Sequence, residues 1–371
     1  MNPQKVLFFL DTDKDDLYSL CLICAQHYYG IIEVIGIVID AGFIYNIQDG
    51  LLIVQQWLNK INVGTNIDHQ SDSCFPFKLN LYAGLPRPDF LALRLFPDSW
   101  ITTYISDLKT NYNITIPNFD YANNMFTDQV VETTSPSVNI LFNHLYQYCD
   151  KSILCLTTSP STSLGIGLDK FPFLSSKIES IYSMASNYLV PGNVPLINND
   201  IANITLPNPY LDYSGEYNSF MNPYSLQRIC LSINSDINVN IIALDCTNYA
   251  ELMNITVAEF EAFAKPFLDI VTDQWTINLY NYFISLVSTT LITETDKIYL
   301  WDLCATNIAL GSNIKQYFIS GMPKISVTGK SELYYYSNDN INKVKIYTFL
   351  SYQKLLLNTI RIIFNDPQYK S

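Results

Sequence analysis

The sequence predicts an α/β fold: a mostly parallel, Rossmann-like open sheet flanked by helices, with an irregular insertion and a mainly helical C-terminal part. Three observations predict it. Val6-Leu7-Phe8-Phe9-Leu10 is an uninterrupted apolar run, the mark of a strand buried on both faces of a parallel sheet. Strand-like and helix-like blocks alternate from the first residues onward, which requires right-handed crossovers. Several strand-like runs end in acids, amides or hydroxyls, and in open α/β sheets the carboxyl ends of the strands are where ligands bind.

The elements follow in order. The first strand leads into Asp11-Thr12-Asp13-Lys14-Asp15-Asp16, and Leu17 to Ala25 is almost wholly apolar, so a core helix follows with Asp15 and Asp16 in its first turn. Free backbone N–H groups and the helix dipole favour acids there. That benefit explains one or two carboxylates; four packed so closely repel one another unless a cation or shared protons offset the charge. Ile31 to Asp40 is a second β-branched run ending in an acid, and Ile47 to Ile61 has helical spacing. From 62 to 124 the pattern gives way to aromatic, proline-bearing sequence, read as a divergent insertion with little regular structure. A helix is expected near Ser137 to Tyr148, then a strand from Ser152 to Thr157 ending in Thr158-Ser159-Pro160-Ser161-Thr162-Ser163. Strands follow at Lys177 to Met184 and at Val239 to Leu244, the latter ended by Asp245. Ala258 to Val287 and a block around Leu303 read as helical, and Glu332 to Leu350 alternates like a hairpin. The whole, 1–371, is expected to be one domain.

Composition narrows the function. A net charge of −13 with a pI near 4.5 argues against a surface for nucleic-acid phosphates. The five apolar residues that precede the first acid are too few for a signal-peptide core or a membrane span. Of eight cysteines, only Cys21 and Cys24 have ligand-like spacing. They fall mid-helix in an apolar segment, so buried reduced thiols and a reducing compartment are expected. The three histidines, His27, His69 and His144, avoid every polar strand end, which disfavours a zinc site or a Ser-His-Asp triad. What remains at the strand ends is oxygen: Asp11, Asp13, Asp15, Asp16, Asp40, Thr158 to Ser163, Pro191-Gly192-Asn193, Gly215-Glu216-Tyr217-Asn218 and Asp302. Such a set suits a hard divalent cation or a polyhydroxylated ligand.

Taken together in this order, these residues resemble a known family. Asp11-Thr12-Asp13-Lys14-Asp15-Asp16 is similar to the N-terminal aspartate cluster of the inosine-uridine preferring nucleoside hydrolases, in particular the plant-type version. Pro207-Asn208-Pro209-Tyr210, Gly215-Glu216-Tyr217-Asn218 with Asn222-Pro223, Ile242 to Asn248, and Trp301-Asp302-Leu303 resemble later segments of that family. The resemblance implies hydrolysis of the N-glycosidic bond of ribonucleosides to free base and ribose, with Ca²⁺ as cofactor. It implies a small nucleoside as partner, a place in purine or pyrimidine salvage, and a cytoplasmic enzyme, with a homo-oligomer left open.

Residue by residue, an ungapped register makes Asp11 both a Ca²⁺ ligand and the base that activates water. Asp15 then binds ribose hydroxyls and Asp16 is a bidentate Ca²⁺ ligand. A register slipped by two residues gives the base role to Asp13 instead. Thr162 supplies a backbone carbonyl to the metal and Asp302 its last carboxylate. Asn193, Glu216 and Asn218 resemble ribose-binding residues, and Trp301 could stack on a purine. The chain also departs from the family pattern. Phe9 stands where the ungapped register expects an aspartate, Phe43 follows Gly42 in place of Asn, Ser163 replaces Asn and Asn222 replaces Asp. Trp301 occupies the position at which some relatives carry a histidine. A nucleoside-binding homologue without turnover stays open, as does a noncatalytic carbohydrate-binding protein. So does a haloacid-dehalogenase-like phosphatase, which shares an Asp-x-Asp after its first strand.

Overall fold

Strand β1 (Gln4–Leu10) lies at the interior of a nine-stranded sheet, with β2 (Ile32–Ile39) on one side and β6 (Ile153–Thr157) on the other, both parallel to it. The computed structural model describes residues 2–44, 46–66, 75–85, 98–116, 136–188, 190, 192–193, 215–247, 257–293, 300–314, 316–326, 330–334 and 344–370. A small two-stranded ribbon joins β3 (Gly64–Thr65) to β4 (Lys78–Leu79), and β5 (Leu81–Ala83) extends the main sheet beyond β2. On the β6 side follow β7 (Ile178–Met184), β8 (Asn238–Ile242) and β11 (Val344–Leu350), all parallel. β9 (Gln316–Ile325) and β10 (Ser331–Tyr334) complete that edge antiparallel. From β1 the chain first builds outward through β2 and β5, then returns and builds through β6, β7 and β8. The boundary between β1 and β6 is therefore the topological switch point, where an open α/β sheet leaves a crevice at its carboxyl ends.

β1 shows why the apolar run has to be continuous. Val6, Phe8 and Leu10 enter one buried cluster and Leu7 and Phe9 another, on the opposite face of the sheet. The first cluster is completed by α1 (Lys14–Tyr28), α2 (Ile47–Lys60), α10 (Val257–Leu268), α11 (Gln274–Thr293), α12 (Trp301–Ala309) and α13 (Tyr352–Ile363). The second is completed by α4 (Val138–His144), α5 (Thr162–Lys170), α6 (Leu174–Lys177) and α8 (Pro223–Leu231). α3 (Asp98–Tyr112), α7 (Tyr217–Met221) and α9 (Leu244–Thr247) also feed the first cluster, through residues such as Tyr104, Phe220 and Leu244. Cys21 and Cys24 are buried in α1 as free thiols, as their apolar setting predicts. Among the described residues, no helix is long and apolar enough to cross a membrane.

Two expectations are corrected. The stretch 62–124 carries regular structure: β3, β4, β5 and the fifteen-residue helix α3. The alternation of Glu332 to Leu350 is real, but β10 and β11 do not pair with each other; both pair with β9, which lies between them. Ala258 to Val287 is helical as expected, as two helices, α10 and α11, separated at residues 269–273.

Candidate active site

The site is built from the loop that turns β1 into α1. Asp13 is the N-cap of α1: its side chain accepts from the Lys14 N–H at 2.6 Å, and Asp16 returns the favour as a capping box. Asp16 Oδ2 accepts from the N–H groups of both Asp13 (3.1 Å) and Asp11 (3.0 Å), while its Oδ1 takes the Thr158 hydroxyl from the end of β6. Between these two anchored amides Thr12 sits in the left-handed region at φ 70°, rare for a β-branched residue. The turn thereby folds Asp11 toward the loop after β2. There Asp11 Oδ2 accepts the Phe43 N–H at 3.1 Å, and Gly42 must be glycine because a Cβ on it would lie 1.8 Å from that oxygen. Phe9 belongs to the cluster on the opposite face of the sheet, against Phe142.

Asp302, in the first turn of α12, brings its N–H within 3.5 Å of Asp15 Oδ2. Asp11, Asp15, Asp16 and Asp302 are all buried. Burial, then the neighbouring acids, pushes the carboxyls of Asp11, Asp15 and Asp302 well above the ordinary carboxylate range. Asp16 is also raised by burial, but the donors on its oxygens hold the rise back. No cationic side chain figures among the leading influences on these groups, and Lys14, the nearest lysine in sequence, is paired with Asp107 at 3.1 Å.

The neighbouring strand ends close round this loop. Asp40, after β2, accepts from the Ser159 hydroxyl (3.1 Å), the Ser163 N–H (3.2 Å) and the Ser163 hydroxyl, and burial lifts its carboxyl to about 6. Ser163 is thus engaged with an acid on β2. Thr162 is buried in the first turn of α5, its hydroxyl bonded by the Asn222 amide at 2.9 Å. Asn218 donates to the carbonyls of Thr158 (3.0 Å) and Met184 (3.1 Å), tying the ends of β6 and β7 together, while its own Oδ1 is buried without a partner among the described residues. Glu216 is the N-cap of α7 and is saturated: Oε1 takes the Asn218 N–H and Oε2 the Ser186 and Ser219 N–H groups and the Ser219 hydroxyl. Asn193 Oδ1 accepts the Tyr217 N–H at 2.7 Å. Trp301 is half-buried directly before Asp302. Pro191, Pro207 to Tyr210 and Asn248 lie outside the described residues.

Thr158, one of the strand-end hydroxyls expected from the sequence, donates to Asp16. One participant escapes a reading of the sequence. Tyr104, on α3, donates its hydroxyl to the Thr12 carbonyl at 2.6 Å and packs edge-on against Phe43. Its signal is the spacing Tyr104, Leu108, Tyr112, all buried on one face of the helix.

This geometry meets an independent finding: the family model for inosine-uridine preferring nucleoside hydrolases matches residues 6–335. The chain belongs to that family. Solved structures of similar fold include an inosine-uridine preferring nucleoside hydrolase from Bacillus anthracis, 18% identical with a TM-score of 0.62, covering 98% of this chain and 99% of that one. A plant nucleoside hydrolase matches at 14% identity and TM-score 0.62, over 98% of this chain and all (100%) of the other. A purine-preferring ribonucleoside hydrolase from Gardnerella vaginalis matches at 17% identity and TM-score 0.63, over 98% of each chain. No curated protein matches the sequence. Membership of the nucleoside hydrolase family sets aside the phosphatase alternative.

The family implies a Ca²⁺ ion, and the residues present fit one in charge and donor chemistry. Four buried carboxylates form a hard, oxygen-only set whose repulsion a divalent ion would relieve. They do not form a finished cage: among the described residues no three acid, histidine or cysteine side chains surround a single ion position. The acids stand instead as two carboxyl pairs, Asp11 with Asp16 and Asp15 with Asp302.

Proposed function

We propose that this nucleoside hydrolase cleaves the N-glycosidic bond of ribonucleosides, releasing free base and ribose, with Asp11 as general base and Ca²⁺ as cofactor. One observation carries the reading: Asp11, Asp15, Asp16 and Asp302 are buried together at the switch point of the sheet with no cationic side chain among their leading influences. Breaking a bond to the anomeric carbon builds positive charge on the sugar. Fixed carboxylates in a water-poor crevice stabilise that charge without having to reorganise.

Asp11, Asp16, Asp302 and the Thr162 carbonyl would hold the ion, which when bound lowers the pKa of a coordinated water. Asp11 takes the proton as water attacks the anomeric carbon and the bond to the base breaks, the base taking up a proton from solvent as it leaves; the burial that raises the Asp11 pKa makes its ionised form a stronger base. Asp13 is the alternative base. Its carboxylate caps α1 by accepting the Lys14 N–H, so the reading assigns proton transfer to Asp11. Asp15 binds the ribose hydroxyls, and Asn218 offers its unpartnered Oδ1 to one of them. Asn193 and Glu216 wall the ribose side of the crevice, while Trp301 stacks on the departing base. The 371 residues act as one hydrolase unit on a small nucleoside, in cytoplasmic salvage of purines or pyrimidines.

The test is release of reducing sugar from inosine, adenosine, uridine and cytidine, with Ca²⁺ and after chelation. Sugar release that chelation abolishes is expected. A second reading, a homologue that binds nucleosides without turnover, draws on Glu216 and Asn193 already being bonded to backbone amides of the protein itself. Calorimetric binding of inosine with no sugar released from any nucleoside would establish that second reading and end the first.

A further inference from the structure

Helix α3 has no part in the sheet, yet it touches the acid loop at two points and the neighbouring loop after β2 at a third. The Tyr104 hydroxyl donates to the Thr12 carbonyl at 2.6 Å, the Tyr104 ring packs edge-on against Phe43, and Asp107 pairs with Lys14 in the first turn of α1 at 3.1 Å. Tyr104, Asp107 and Leu108 lie on one helical face and, with Lys14 and Leu17, line a small cleft between α3 and α1. The ion pair is largely sheltered, with side chains 17% and 15% exposed.

Thr12 is the residue that most needs such support. A threonine in the left-handed region persists only where its surroundings hold it there. Its own hydroxyl is turned back onto the Asp11 carbonyl at 2.6 Å, and its amide neighbours, Asp11 N–H and Asp13 N–H, share one oxygen of Asp16. The Thr12 carbonyl is left for Tyr104. Phe43 in turn supplies the N–H that fixes Asp11 Oδ2. A single tyrosine therefore braces both the turn that aims Asp11 and the residue that receives it.

We infer that Tyr104 is a positioning residue of this enzyme: it holds the Thr12 turn and the Phe43 amide so that the Asp11 carboxylate points into the crevice. The inference rests on the hydrolase reading for its kinetic consequence, but its structural half stands apart from that reading. Tyr104→Phe keeps the ring and deletes the hydroxyl. The expected result is a folded protein with wild-type near-ultraviolet circular dichroism, about tenfold faster hydrogen exchange at the Asp11 and Asp13 amides, and kcat about tenfold lower with KM within about twofold. Asp107→Asn, which loosens α3 from outside the turn, is expected to lower kcat about threefold in the same manner. Unchanged exchange at Asp11 and Asp13 in Tyr104→Phe overturns the inference, as does faster exchange with unchanged kcat. If the wild-type protein releases no sugar, it is the hydrolase reading that fails, and the exchange rates still decide whether Tyr104 holds the turn.

Discussion

The starts of α7 and α1 both carry acids of this crevice, and they treat them in opposite ways. At α7, Glu216 is buried but receives three backbone N–H groups and a hydroxyl, so its carboxylate is a structural cap. At α1, Asp16 has a similar complement of donors, whereas Asp11 and Asp15 beside it have few, Asp11 being set against Asp16 and Asp15 against Asp302. The electrostatics follow the donor count. Burial raises Glu216 and Asp16, but Asp11, Asp15 and Asp302 are driven well above the ordinary range. Burial alone therefore does not mark a reactive carboxylate; burial without donors does.

The strongest attempt to break that contrast is Asp11→Asn. Turnover is expected to fall at least about a thousandfold while the melting temperature holds or rises, since a repelled buried charge has been removed. Near-normal activity in this variant would transfer the base role to Asp13. The mirror experiment is Glu216→Ala, which orphans the Ser186 and Ser219 amides. It is expected to cost about 2–4 kcal/mol of stability by denaturant titration. Full stability combined with a large rise in KM would mean that Glu216 serves the sugar rather than the helix.

The smallest and most diffuse effect is on the pH dependence of stability. Asp40, lifted from 3.8 to about 6, binds its proton more tightly in the folded protein than in the unfolded chain. The folded state therefore carries more protons across that window, and stability falls as pH rises through it, by up to about 3 kcal/mol from this group. Asp11, Asp15 and Asp302 shift in the same direction and extend the fall to higher pH. Melting curves without metal should decline as pH rises from about 4 through about 6 and beyond, and Ca²⁺ should reverse the decline. A flat profile that Ca²⁺ leaves unchanged would mean that the acid pairs are not strained.

Much of this was legible in the sequence, because it depends on local order. Val6 to Leu10 announces a strand buried on both faces, and all five residues are buried. The acids after it belong at a carboxyl end, and that is where they lie. The parts that resisted are those in which distant segments decide the outcome. Glu216 and Asn218 could be picked out as crevice residues, but the groups that occupy them, Ser186 and the Thr158 carbonyl, come from other strand ends. Tyr104 sits within proline-bearing, aromatic sequence whose average character masks a helix. The alternation at 332–350 is equally compatible with two strands that pair with each other or with two that flank a third. The true partner, β9, contains Gly321 and Pro323, residues that normally argue against a strand.

The placement of β11 has a consequence for how the molecule is made. It is the latest in the chain of the nine main-sheet strands, yet it lies inside the sheet, parallel to β8 and antiparallel to β9. During synthesis β8 must therefore wait with one edge unpaired until residues 344–350 emerge, and the β9–β10 pair can join the sheet only through them. An open edge of this kind invites pairing with another chain. A nascent or truncated chain ending before Val344 would already contain every candidate site residue, from Asp11 to Asp302, and still lack the strand that seals the sheet. Cellular yield of this enzyme should thus depend on Val344–Leu350, a strand far from the chemistry.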